Sequence, residues 1–181
     1  MLELRIHGFG GQGAVTLAHL LAQTALNNGS QSQALPSFGV ERRGSPVKAA
    51  VRIADNEIRI FSQSIAPDML IAMDRQLVER AVGEGVKAEG IMLVNSPVPV
   101  STGHTTYLVD ATGIAVEEGL VSNDGPFINI PLLGAAASVI GIPFAVLEDT
   151  LRARFKAAVA DKNVQVAKRA YDGVVKVEGA T

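Results

Sequence analysis

Gly8, Gly10, Gly11, Gln12 and Gly13 stand together in the stretch Gly8-Phe9-Gly10-Gly11-Gln12-Gly13. A strand-like run, Leu2 to His7, precedes them, and a helix-like run, Ala14 to Leu21, follows. Residues without a Cβ let the chain turn tightly and let a ligand approach the backbone. A helix that starts directly after such a turn points unpaired N–H groups and its positive dipole end back at the turn. That combination suits a phosphate or another anion. Gly8, Gly10 and Gly13 also fit the dinucleotide spacing GxGxxG. The acid expected about 20 positions further on is missing, since residues 30–37 read Ser-Gln-Ser-Gln-Ala-Leu-Pro-Ser and the first acid is Glu41. No Lys-Ser or Lys-Thr follows, so the loop is not of the P-loop kind. The stretch is an anion-site candidate and a poor nicotinamide site, or else a tight turn that holds no ligand.

A second group is Ser37 to Pro46, with Glu41, Arg42 and Arg43 between two glycines, Gly39 and Gly44. Arg42 and Arg43 could grip a phosphate or carboxylate in two-pronged fashion, or sit in a solvated loop where charges do little. Asn129, two residues before a Pro that can open a helix, is read as a helix cap or, second, as a ligand contact. Asp68, Asp74 and Asp110 fall at expected strand ends, where α/β proteins place functional side chains but where capping is also common. No nucleophile, base and orienting group share a spacing, so no catalytic residue is assigned. There is no Cys, which removes thiol nucleophiles and thiolate-held clusters. His7, His19 and His104 are scattered in no metal-binding pattern, so no metal site is expected.

The elements that must position these groups follow from composition and periodicity. The 181 residues are 48% apolar, 19% charged and 4% aromatic, with a net charge of −2. That is a globular chain with a core of Ala, Val, Ile and Leu, and it carries no basic surface for nucleic acid. No membrane span and no signal-peptide pattern are expected, and the location expected is cytoplasmic. Strand patterns lie at about 3–7, 31–35, 47–54, 57–61, 68–73, 90–95 and 105–110. Asp55-Asn56 between the third and fourth of these predicts a hairpin. Helical patterns lie at about 13–28, 75–84, 111–119, 131–141, 145–158 and 161–175. Together they predict a three-layer α/β/α fold with a largely parallel sheet, one hairpin and a helical C-terminal third. Residues 1–175 are expected to form one domain and 176–181 a tail.

With those motifs in place, the chain resembles the gamma subunit, or gamma domain, of the 2-oxoacid:ferredoxin oxidoreductases, of the pyruvate synthase type. The resemblance rests on Gly8–Gly13 with Ala14-Val15-Thr16, on Phe38 to Ile53 (FGVERRGSPVKAAVRI), and on Ala66-Pro67-Asp68 before an apolar strand. It extends to Leu133-Gly134-Ala135 after Asn129, and to Lys162-Asn163-Val164 leading to Ala170-Tyr171. These segments keep the family's order along nearly the whole chain. The ERRGSPV spelling favours pyruvate, whereas the 2-oxoglutarate type usually shows EARGG there. Val40 and Ser45 depart from the family's frequent Pro and Ala or Gly.

The resemblance implies a coenzyme A-dependent oxidative decarboxylation with electrons passed to ferredoxin. Thiamine diphosphate, Mg and [4Fe–4S] clusters would belong to other subunits, of alpha, beta and delta type, and none would be bound by this chain alone. This chain would help shape the coenzyme A region through Gly8, Gly10, Gly11, Gln12, Gly13, Arg42, Arg43 and Asn129, and would be inactive alone. An isolated copy could pair with itself. The competing reading is a free-standing nucleotide- or phosphate-binding regulatory module.

Overall fold

A computed structural model describes residues 1–36, 44–60, 62 and 66–177. Strand β1 (Leu2–Phe9) is the axis of the fold. Leu4 and Ile6 point to one side of the sheet and are fully buried, while Arg5 and His7 point to the other, the alternation a strand imposes. Helix α1 (Ala14–Asn27) returns over the first side and leads to β2 (Gln31–Pro36). After β3 (Pro46–Ala54) come β4 (Met69–Ala72), a single 3-10 turn at Arg75–Leu77 and α2 (Val78–Gly83). Then follow β5 (Ile91–Asn95), β6 (Thr105–Val109) and α3 (Ala111–Glu117). A two-residue ribbon, β7 (Val121–Ser122) and β8 (Gly125–Pro126), precedes α4 (Asn129–Val139), α5 (Phe144–Arg154), α6 (Ala157–Gly173) and β9 (Val175–Val177).

The main sheet runs β2-β3-β1-β4-β5-β6-β9. β1, β4, β5 and β6 pair in parallel, and β2 shares their direction because β3 runs antiparallel to both β1 and β2. Only β3 and β9 run against the rest. The fold is therefore a largely parallel α/β sheet with helices on both sides, as expected. The two sides are unequal. The larger core joins the sheet to α1, α3, α4, α5 and α6; the smaller packs Leu70, Ala72, Met92, Val94 and Leu108 under α2.

α4 is apolar all round because other helices, α1, α3, α5 and α6, surround it. Gly134 lets α6 come close: a Cβ there would overlap the carbonyl of Ala167. This gives a packing reason for the Leu133-Gly134-Ala135 segment.

Three sequence expectations need correction. Residues 57–60 form no strand, so the Asp55-Asn56 hairpin is absent. Both edges of β3 are already taken, by β2 and β1. The segment is held instead by Arg52, whose guanidinium donates to the carbonyls of Ile60 and Ser62. Second, the C-terminal third is not purely helical, since β9 pairs with β6 and takes Lys176 and Val177 out of the expected tail. Third, the expected helix over 145–158 ends at Arg154, where Phe155 and Lys156 turn extended before α6 begins at Ala157. The ribbon β7–β8 was not expected either.

Candidate functional site

At the end of β1 the chain closes on itself. The N–H of Gln12 donates to the carbonyl of Phe9 at 3.0 Å, and the N–H of Phe9 donates to Gln12 Oε1 at 2.8 Å. Gln12 therefore braces the turn from both sides, and its acceptor is already committed. Gly11 and Gly13 have φ of 98° and 83°, where a side chain is strained. Gly13 is the N-cap of α1 and supplies no side-chain cap, so the helix begins bare. Gly8 has a different task. A Cβ there would lie 2.8 Å from Met73 Sδ and 3.3 Å from Ala14 Cβ, so Gly8 is needed for packing and does not line the cleft described next.

That cleft, of about 720 Å³, opens beyond the carboxyl ends of the parallel strands, where open α/β sheets hold ligands. Gly10, Gly11, Gln12, Gly13 and Thr16 form its β1–α1 side. Asp74 follows β4, Asn95 ends β5 and Thr112 lies in α3 after β6. The ribbon β7–β8 and Phe127 form one wall, and the start of α4 with Phe155 and Asn163 the other. Among the described residues that line it there is no Lys, Arg or His, and two acids, Asp74 and Asp124.

Its polar side chains differ in what they already do. Asn95 is fully engaged: its Nδ2 donates to the Met73 carbonyl and to Thr112 Oγ1, and its Oδ1 accepts from the Thr112 N–H. Asp74 accepts from the Gln76 N–H and caps the 3-10 turn. Asn129 is not the cap that its place before Pro131 implied. Ile128 holds the N-cap position, and Asn129 is the first helical residue of α4. Its side chain packs against the glycine turn, where a Cβ on Gly13 would come within 3.2 Å of its Cγ and Nδ2.

The expected acids separate. Asp110 caps α3 by accepting from the Gly113 N–H. Asp68 lies at the opposite end of the sheet, accepting from the Glu3 N–H and pairing with Lys87 at 2.6 Å. Desolvation pushes its carboxyl up, but hydrogen bonds from Lys87 and Glu3 outweigh that and hold it below the usual range. Arg42 and Arg43 lie outside the described residues. The C-terminal flank of their loop meets the glycine turn, however. The Gly10 N–H donates to the Ser45 carbonyl at 2.8 Å, and the Gly44 N–H to the Gly10 carbonyl at 3.2 Å.

His7 is buried on the far side of the sheet, away from the cleft, and its Nε2 accepts from Arg5 Nε at 3.0 Å. Burial first, then the neighbouring Arg5 charge, push its imidazole down to about 4. It is a neutral acceptor at neutral pH. Among the described residues no group of three or more His, Cys, Asp or Glu could hold a metal.

Sequence reasoning brought Gly10, Gly11, Gln12, Gly13 and Asn129 to the same place. It missed Asn95, Thr112, Asn163 and the ribbon. Asn95 had a usable signal, an amide ending the apolar run Ile91-Met92-Leu93-Val94. Asn163 stood only within the Lys162-Asn163-Val164 segment of the family resemblance, and nothing local in a helix tells which face meets a cleft.

The family model described as pyruvate ferredoxin/flavodoxin oxidoreductase matches residues 3–173. Pyruvate synthase subunit PorC of Methanocaldococcus jannaschii is 41% identical over 99% of this chain and 100% of its own. The common gamma subunit of the pyruvate/ketoisovalerate oxidoreductases of Thermococcus kodakarensis is 40% identical over 98% of this chain and 100% of its own. The crystal structure of pyruvate oxidoreductase subunit PORC of Thermotoga maritima superimposes with a TM-score of 0.83 at 33% identity, over 98% of each chain.

Proposed function

The chain belongs to the pyruvate ferredoxin/flavodoxin oxidoreductase family as a gamma-type subunit, and from that premise we propose that it builds the coenzyme A side of a pyruvate-cleaving complex. The observation that carries this reading is the bare N-terminus of α1 behind the glycine turn, opening into the cleft at the strands' carboxyl ends. Such a terminus attracts the diphosphate of the coenzyme. Arg42 and Arg43, whose loop is anchored on Gly10 at both Gly44 and Ser45, add the fixed positive charge that the described lining lacks. Residues 1–175 act as one gamma-type domain.

The residues of this chain bind and orient. They do not fit the redox groups of such a complex, because there is no Cys for an iron–sulfur cluster. Thiamine diphosphate, Mg and the [4Fe–4S] clusters fall to subunits of alpha, beta and delta type, with ferredoxin as electron acceptor and the cytoplasm as location. Among the described residues no helix is long and apolar enough to cross a membrane. ERRGSPV favours pyruvate. One similar gamma subunit is named as common to pyruvate and ketoisovalerate enzymes, which supports leaving the choice of 2-oxoacid to the partner subunits.

The test is Arg42→Ala and Arg43→Ala in the assembled complex. Loss of a charged hydrogen bond to phosphate, roughly 1.5–3 kcal/mol, should raise the KM for coenzyme A about ten- to a hundredfold. The KM for pyruvate should hardly move. Unchanged coenzyme A kinetics in both variants would remove the phosphate role from this loop.

A further inference from the structure

We propose that Asn129 and Asn163 form an amide clamp that holds a neutral, secondary-amide-bearing arm of the ligand along the inner wall of the cleft. Both side chains line the cleft and are nine-tenths or more buried, with 9% and 4% exposure. Neither carboxamide takes a hydrogen bond among the described residues, whereas Asn95 in the same cleft uses its whole amide. Their amide atoms are open to the cleft and not sealed in the core, so whatever fills the cleft meets two unpaired carboxamides.

No hydrogen-bonding duty within the fold explains either amide. Asn129 does not cap α4, and Asn163 stands mid-way along α6, where Asn is a poor helix former. A carboxamide presents a donor and an acceptor side by side; another amide uses both, whereas a phosphate, which only accepts, would leave the Oδ1 unused. The described lining of the cleft has no cation, so within it only the glycine turn and the bare α1 N-terminus favour a phosphate. The clamp rests on the coenzyme A reading above and divides the ligand. The diphosphate stays at the glycine turn, and the pantetheine arm, with its two secondary amides, runs past Asn129 and Asn163.

The test uses the assembled oxidoreductase with Asn163→Ala, Asn163→Leu and Asn129→Ala. Pyruvate-dependent dye reduction is measured with coenzyme A and with D-pantetheine as acyl acceptor, and with adenosine 3′,5′-bisphosphate as inhibitor. The KM for both acceptors should rise about tenfold while inhibition by the bisphosphate is unchanged. Equal weakening of all three, or of none, overturns the clamp. Should the variants fail to assemble, the wild-type full chain labelled with ¹⁵N decides. The side-chain amide signals of Asn129 and Asn163 should move with D-pantetheine and not with the bisphosphate, and their indifference to D-pantetheine refutes the clamp. A complex that turns over without coenzyme A would refute the functional reading instead, and the same amide signals would still decide the clamp.

Discussion

Among single residues, the glycines show how one spacing can carry unlike tasks. Gly8 is packed against Met73 and Ala14, whereas Gly13 holds a positive φ beside Asn129. Gly13→Ala therefore meets both strain and a tight neighbour, and should lower stability by about 1–2 kcal/mol in a thermal melt. An unaltered melting temperature would show that the turn tolerates a side chain. His7 yields a pH prediction. Burial holds its imidazole at about 4, against the ordinary 6.5, so between those values the unfolded chain binds more protons than the folded one. Stability contributed by neutral His7 is complete above about pH 6.5 and declines as pH falls toward 4. The decline amounts to about 3 kcal/mol. Urea unfolding of wild type and His7→Gln across that range should show a shallower slope in the variant, and identical slopes would remove His7 from the acid response. The glycine turn was legible because Gly leaves a spacing in the sequence. The burial of His7 and the two free amides were not, since both depend on chain segments remote in sequence.

The elements themselves followed their local patterns well, and their pairing less so. Alternation placed β1, β3, β4, β5 and β6 close to where the structure has them. The hairpin after β3 failed because turn chemistry at Asp55-Asn56 says nothing about whether β3 has a free edge. β9 escaped because three residues hold too little pattern, and the break between the last two helices was expected after 158 but falls after Arg154, because neither Gly nor Pro marks Phe155-Lys156. The contact between α4 and α6 is the closest helix approach the glycines reveal. Gly134→Ala should overlap the Ala167 carbonyl and cost about 3 kcal/mol, roughly 10 °C in Tm. A melt within 2 °C of wild type would mean that α6 shifts freely, about 1 kcal/mol or less. Arg5 serves α2 from below, donating to the carbonyls of Ala81 at 3.2 Å and Gly85 at 2.5 Å. It supplies partners that the end of a short helix would otherwise lack.

Taken as a whole, the molecule is an α/β domain with a cleft of about 720 Å³ at the carboxyl ends of its parallel strands. Its family, its fold and its lack of Cys agree that it works as one part of a larger enzyme. The isolated chain should reduce no dye with pyruvate and coenzyme A, and activity from the purified chain alone would undo that division of labour. The most direct measurement is affinity purification of the tagged full-length chain from its own cells, followed by assay of the eluate. Partner subunits bearing thiamine diphosphate and iron–sulfur clusters should come with it, and the eluate should reduce ferredoxin only when pyruvate and coenzyme A are both present. A chain that elutes alone, leaving that activity undiminished in the flow-through, would exclude it from the oxidoreductase.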